Sequence, residues 1–199
     1  MARLAIIQEP HKTLRKKARE LAPIEIKSKK IQKLIRDMSE TLRAIEVGIG
    51  LAAPQVGKSL RIFLVSEEAM HKRKLPADLP AEGSPQAGSP KSIQAGPPKS
   101  KGFGGKHLVF INPKITKTSK KKNLLVEGCL SVSAEGSGKL IYGQVERFEK
   151  LTVEAQDASA RKFTRGASEL FAQVLQHELD HLNGTLFIDK AREIKKIDA

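Results

Sequence analysis

The chain has 199 residues, a length that favours one domain. It is 39% hydrophobic but only 4% aromatic, with no tryptophan, so its core must be mostly aliphatic. No apolar run nears the ~20 residues that a membrane-spanning helix needs, and a formal net charge of +14 points to polyanions, either nucleic acid or an anionic surface.

Met1-Ala2-Arg3-Leu4-Ala5-Ile6-Ile7 carries one positive charge and a short apolar stretch. It lacks the long apolar segment and small-residue cleavage site of a secretion signal, and reads as a first strand. A cytoplasmic location is the default, with an organelle left open. From Ser28 to Val47, Ile31, Leu34, Ile35, Met38, Leu42 and Ile45 recur at steps of three and four. That spacing predicts an amphipathic helix, with Ser28 as N-cap and Gly48 as its stop. The glycines and proline of Gly48 to Gly57 predict an ordered turn or loop, and Leu60 to Val65 a short strand.

From about 66 to 106, Pro, Gly, Ser, Ala and Lys dominate, as in Gly83-Ser84-Pro85 and Ala95-Gly96-Pro97-Pro98. Such a stretch buries too little apolar surface to offset its ordering entropy and reads as a flexible insertion within the domain. Strand-like segments follow at Leu108 to Asn112, Lys114 to Thr118, Leu124 to Val126, Leu140 to Glu146 and Leu151 to Ala155. A last helix is predicted over Ala167 to Leu182, with Gly184 beyond its end and Leu170, Val174, His177 and His181 on one stripe. Strands segregated from two helices indicate an α+β fold: antiparallel strands packed around the histidine-bearing helix, with an amphipathic helix near the N-terminus.

The chemistry concentrates in His177-Glu178-Leu179-Asp180-His181. Histidines four apart on a helix project from one face and can reach one metal ion. A Glu directly after the first His can sit beside a water activated by that ion and take its proton. A catalytic site of this kind needs a third protein ligand and an open position. Downstream, Phe187 stands where a further histidine would extend the motif, and only Asp189, Glu193 and Asp198 remain. The third ligand must come from upstream, where the single cysteine lies in Glu127-Gly128-Cys129-Leu130-Ser131. One cysteine excludes an internal disulfide and agrees with a reducing compartment. Coordination would hold its sulfur as thiolate.

Three segments in order, Gly48-Ile49-Gly50-Leu51-Ala52-Ala53-Pro54-Gln55, Glu127-Gly128-Cys129-Leu130-Ser131 and His177-Glu178-Leu179-Asp180-His181-Leu182-Asn183-Gly184, resemble the motifs of the peptide deformylases. Pro10 with Leu14-Arg15 is similar to that family's opening segment, so the resemblance spans nearly the whole chain outside the insertion. It implies removal of the formyl group from N-formylmethionyl ends of newly made polypeptides. It assigns Cys129, His177 and His181 to a divalent metal, usually Fe²⁺ in the family, with Zn²⁺, Ni²⁺ and Co²⁺ as substitutes. It makes Glu178 the proton carrier, and the Gln55 amide and Leu130 N–H the donors to charge building on the carbonyl oxygen. It places the backbone of an extended substrate near Ile49, Gly50 and Gly128.

Leu170 and Val174 are candidates for the wall of a methionine-sized pocket or for plain core packing. Asp180 reads either as support for a neighbouring group or as a solvated carboxylate. The segment Val132 to Gly143 lacks the arginine with which many family members hold substrate backbone, leaving either Lys139 or Tyr142 in its place or a weaker grip on substrate. Two rival classes remain: a metallopeptidase or amidase for another acyl group, and a basic RNA- or ribosome-binding protein. The lysine clusters Lys27-Ser28-Lys29-Lys30, Lys120-Lys121-Lys122 and Lys195-Lys196 motivate the second. They have no interleaved aromatics, which argues against a base-stacking platform. Ribosomal RNA is compatible with either reading.

Overall fold

The computed structural model of the chain describes residues 2–45, 48–67, 107–134 and 139–198. The expected insertion lies outside the described residues from 68 onward. Five strands form one antiparallel sheet in the order β1 (Gly50–Ala52), β2 (Ile62–Ser66), β3 (His107–Thr118), β6 (Lys150–Gln156), β7 (Lys162–Ser168). Three more, β4 (Lys122–Ala134), β5 (Lys139–Phe148) and β8 (Arg192–Asp198), form a second antiparallel sheet. The helices are a single turn α1 (Pro23–Ile26), α2 (Lys29–Arg43) and α3 (Glu169–Leu182). This is an α+β architecture with few helices.

Alternation along β2 explains how the helices are placed. Every residue of Ile62–Ser66 is buried, because both faces of the strand are covered. Ile62 and Leu64 pack with Ile31, Ile35, Met38 and Leu42 of α2. Phe63 and Val65 face the other way, with Phe110, Leu151 and Val153, onto Ala172, Leu175, Leu179 and Leu182 of α3. Successive side chains of a strand point to opposite faces, so one strand serves two cores. Phe63 and Phe110 stack with centroids 4.8 Å apart.

The helix α3 lies between the two sheets and binds each differently. Its contact with the five-stranded sheet is apolar. Toward the second sheet it uses amides: Gln173 Nε2 donates to the Val126 carbonyl at 2.8 Å. Gln176 accepts from Phe148 N at 2.9 Å and donates to the Phe148 and Ala172 carbonyls. These bonds fix both the position and the rotation of the helix that carries the histidines.

Several boundaries differ from the sequence-based expectations. Ser28 caps α2, accepting from Ile31 N at 3.3 Å, but the helix ends at Arg43 and Gly48 is not its stop. The Gly48–Gly57 segment is not simply a loop: Gly50-Leu51-Ala52 pairs with Phe63 to Val65 as β1, and Ala53–Val56 makes a 3-10 turn. Leu108–Asn112 and Lys114–Thr118 are one strand, β3, with a register shift between Ile111 and Lys114. The β4 strand runs far past Leu124–Val126, and β7 and β8 were not foreseen. The expected N-terminal strand does not form. Residues 2–22 instead run as a strap, with Ile7 N bonded to Gln55 O, Glu9 N to Ser131 O and Ala18 N to Leu182 O, all at 2.9 Å.

Candidate metal centre

The strap, the 3-10 turn, β4 and α3 meet at one place. Between Gly128 and Ser133 the β4–β5 register shifts: five steps along β4 match two along β5, from Tyr142 to Leu140. This bulge frees the intervening residues from the ladder and re-aims their side chains. Their carbonyls are taken up by the strap, Leu130 O by Gln8 Nε2 at 2.9 Å and Ser131 O by Glu9 N. Cys129 thereby faces α3.

Cys129 Sγ lies 3.2 Å from His181 Nε2, and the ligand atoms of Cys129, His177 and His181 are all within 4.8 Å of one another. The two imidazoles, one helical turn apart, have centroids 5.0 Å apart. One thiol sulfur and two imidazole nitrogens are donors that suit Zn²⁺, Fe²⁺, Co²⁺ or Ni²⁺. Three such donors converging on a common point fit a metal ion.

Behind His177 stands a buried charge network. Glu127 Oε2 is 2.9 Å from His177 Nδ1. An ionised carboxylate only accepts, so Nδ1 carries a proton, and a cation bound at Nε2 would displace any proton held there. Arg147 forks onto Glu127 with Nε–Oε1 2.7 Å and Nη2–Oε2 2.8 Å, and reaches Asp180 Oδ2 through Nη1 at 2.6 Å. Lys190 Nζ closes the chain on Asp180 Oδ1 at 2.6 Å. Arg147 and Glu127 are each only 3% exposed. Burial alone would raise the Glu127 carboxyl, but the hydrogen bonds from Arg147 and His177 prevail and bring it down to about 2. Burial works against a charge on His177 too, yet the hydrogen bonds to Cys129 and Glu127 and their charges raise it well above the usual imidazole range. Burial holds His181 well below that range.

Glu178 is 3% exposed, and its Oε2 has no hydrogen-bond partner among the described residues. Burial pushes its carboxyl up to about 7, with His177 pulling it back and Glu127 adding to the rise. The β1 backbone lies directly against it: a Cβ at Gly50 would stand 2.1 Å from Glu178 Oε1. Gln55, buried in the 3-10 turn, accepts from Ala52 N through Oε1 at 2.8 Å. That bond turns its amide nitrogen toward Cys129 Sγ at 3.6 Å and Ser131 Oγ at 3.3 Å.

Of the sequence-predicted residues, Cys129, His177, His181 and Gln55 meet directly, and Gly50 lies against Glu178. Leu130 follows Cys129 within the bulge. Ile49 and Leu170 are half-buried against the core cluster, and Val174 is inside it. Tyr142 packs its ring over Gly128, where a Cβ would meet it at 2.7 Å. Arg147 is turned inward onto two carboxylates, so it does not stand in for a substrate-holding arginine. Reading the sequence did not connect Glu127 and Arg147, which are 20 positions apart. Asp180 is the supporting carboxylate of the two alternatives weighed for it.

A strand thiol and two helical imidazoles around a buried glutamate, on an α+β frame, define a metal-dependent hydrolase. Comparison narrows the class. The sequence model of the polypeptide deformylase family matches residues 3–197. A peptide deformylase of Helicobacter acinonychis (strain Sheeba) is 38% identical over 196 residues, 98% of this chain and 90% of that one. Peptide deformylase 1A of Arabidopsis thaliana, named as chloroplastic/mitochondrial, is 34% identical across 93% of this chain and 60% of its own length. The Met-Ala-Ser-bound class I type b peptide deformylase from Acinetobacter baumannii superposes with a TM-score of 0.70 at 25% identity, covering 95% of this chain and 98% of that one. The chain belongs to the polypeptide deformylase family, metal-dependent enzymes that remove the N-formyl group from newly made polypeptides.

Two outcomes follow from this geometry. Glu127→Gln keeps the shape but removes the charge behind His177, and is expected to weaken affinity for a divalent ion about 10- to 100-fold. Competition with a chromophoric chelator measures this, and an affinity within twofold of the parent contradicts the role of Glu127. Gly50→Ala must displace Glu178, and a shift near 1 Å is expected to lower kcat about 100-fold. An undiminished kcat would show that β1 does not position the carboxyl.

Proposed function

We propose that this chain is a peptide deformylase whose catalytic ion is held by Cys129, His177 and His181. The observation that carries the reading is the meeting of three ligand atoms within 4.8 Å, next to a buried glutamate whose Oε2 has no partner among the described residues. When bound, a divalent ion supplies Lewis acidity toward the formyl carbonyl and makes a water a stronger acid, with a pKa near ~7 in favourable sites. Fe²⁺ is the proposed physiological ion, with Zn²⁺, Ni²⁺ or Co²⁺ able to occupy the same donors.

The chain's own groups do the rest. Glu178 takes the proton from the attacking water at its carboxyl and delivers it to the departing amine nitrogen. A carboxyl whose pKa sits near 7 suits both steps. The Gln55 amide nitrogen, oriented by Ala52 N, and the Leu130 N–H donate to the negative charge that builds on the formyl oxygen. A fixed donor of this kind is worth about 10²–10³ in rate. Ile49, Gly50 and Gly128 offer backbone groups to an extended N-formylmethionyl peptide, and Leu170 with Val174 lies toward the methionine side chain. The Met-Ala-Ser bound to the Acinetobacter baumannii relative supports this class of ligand.

The whole chain acts as a single catalytic domain, with the segment at about 66–106 as an insertion within it. The proposed location is the cytoplasm, where nascent chains emerge, with an organelle as the alternative in view of the Arabidopsis thaliana relative. No helix among the described residues is long and apolar enough to cross a membrane. The net charge of +14 supports an attraction to ribosomal RNA.

The test is formate release from formyl-Met-Ala-Ser by protein prepared without oxygen and loaded with Fe²⁺ or Ni²⁺. Glu178→Ala is expected to lower the rate by about 10²–10⁴. Release of formate that survives in this variant contradicts the assignment of Glu178. Cleavage of acetyl-Met-Ala-Ser at a comparable rate contradicts formyl specificity.

A further inference from the structure

A cleft lies beside α3, lined by Gln176, Leu179 and Asp180 of that helix. It has a volume of about 720 Å³ and is bounded by the strap near Lys17, the β3 bulge at Pro113 and Lys114, and the end of α3 at Asn183. Its lining is unevenly charged. Arg147 and Lys190 are neutralised by Asp180 and Glu127, and Arg19 by Glu25. Among the described residues, three lining cations have no carboxylate within ion-pair distance: Lys17, Arg61 and Lys114. Glu20 lines the cleft and acts on Arg61, and Glu154 stands opposite Lys114 in the β3–β6 ladder without pairing with it.

Arg61 is the most informative of the three. Its Nη1 donates to the Leu182 carbonyl at 3.3 Å and to Asn183 Oδ1 at 3.0 Å, and its Nη2 to the Pro113 carbonyl at 3.3 Å. Neutral acceptors thus hold the guanidinium in place, but no ion pair among the described residues cancels its charge. A guanidinium has five N–H donors, and three are used here. The result is a fixed cation with spare donors, flanked by two lysines, in a cleft.

We infer that this cleft binds the phosphodiester backbone of RNA. The ligand must be anionic, because the unpaired lining charge is positive. An extended phosphate chain suits a groove whose cations come from three separate segments. Bases are not what the cleft reads: the aromatic residue lining it, Phe148, already has Lys122 Nζ over its ring at 5.1 Å. Phosphate contacts position a protein on RNA without specifying sequence. The cleft gives a location to the attraction that the net charge implies, and it does not depend on the deformylase chemistry.

The experiment is binding of the metal-loaded full chain to a labelled single-stranded RNA oligonucleotide, followed by fluorescence anisotropy across a salt series. Lys17→Ala/Lys114→Ala is expected to weaken binding about tenfold. It should also flatten the slope of log K against log salt by about 1.4, at ~0.7 for each phosphate no longer neutralised. Formate release should be unchanged, because neither lysine touches the metal centre. Lys29→Ala/Lys30→Ala removes the same charge at the start of α2 and is expected to change affinity less than threefold. Equal reductions in the two double variants overturn the proposal in favour of diffuse attraction. Saturable binding of inorganic phosphate that is abolished by Lys17→Ala/Lys114→Ala, with no RNA binding in the parent, overturns the assignment to an RNA backbone.

Discussion

The fork of Arg147 on Glu127 and Asp180 is the interaction on which the rest of this structure depends. A guanidinium 3% exposed must be fully partnered, since an isolated buried charge is costly. Meeting that demand locks three elements together: β4 through Glu127, β5 through Arg147 and α3 through Asp180. The same Glu127 oxygen that accepts from Arg147 also accepts from His177. Satisfying the arginine therefore fixes the imidazole's tautomer and rotation as well. Removing one partner would strand the others, at about 3–5 kcal/mol for a buried pair.

Around this lock the molecule divides its labour by chemistry. The α3 face toward the five-stranded sheet is apolar and contributes burial, while its face toward the second sheet is polar and contributes register. Gln173 and Gln176 read backbone groups of β4 and β5, so the helix cannot slide or rotate without breaking named bonds. The β4 bulge brings Cys129 to the histidines, and the N-terminal strap pins that bulge by bonding the carbonyls the ladder has released. Gly184, at φ +76°, completes the arrangement. Its missing Cβ lets the end of α3 approach the strap, where a side chain would meet the Arg15 carbonyl oxygen at 2.7 Å.

The residues that converge were legible in the sequence because their signals are local or compositional. Two histidines a helical turn apart announce one face, and a single cysteine beside glycine leaves few candidates for a third ligand. The supports were not legible for a corresponding reason. Arg147 sits in a charged stretch, Glu146-Arg147-Phe148-Glu149, that reads as solvated surface, and only the β4–β5 register reveals that it points inward. The β8 strand, Arg-Glu-Ile-Lys-Lys-Ile-Asp, is mostly charged, so no strong apolar alternation marks it. It forms because β5 offers it an edge. The strap looked like a strand from its apolar residues, yet its bonds are scattered over α2, the 3-10 turn, β3, β4 and the end of α3, which periodicity cannot encode. Gly48 looked like a helix stop, whereas the chain leaves α2 earlier and the glycine packs beneath Leu42 and Ile45.

The central claim is that this network presents one sulfur and two nitrogens to a single ion. Its most direct test is the visible and near-ultraviolet spectrum of the Co²⁺-loaded chain, with metal content measured on the same sample. The account predicts about one ion per chain, intense d–d bands of low-symmetry four-coordination and a thiolate-to-metal charge-transfer band that disappears in Cys129→Ser. Co²⁺ bound without that band, or a band that survives in Cys129→Ser, would contradict it.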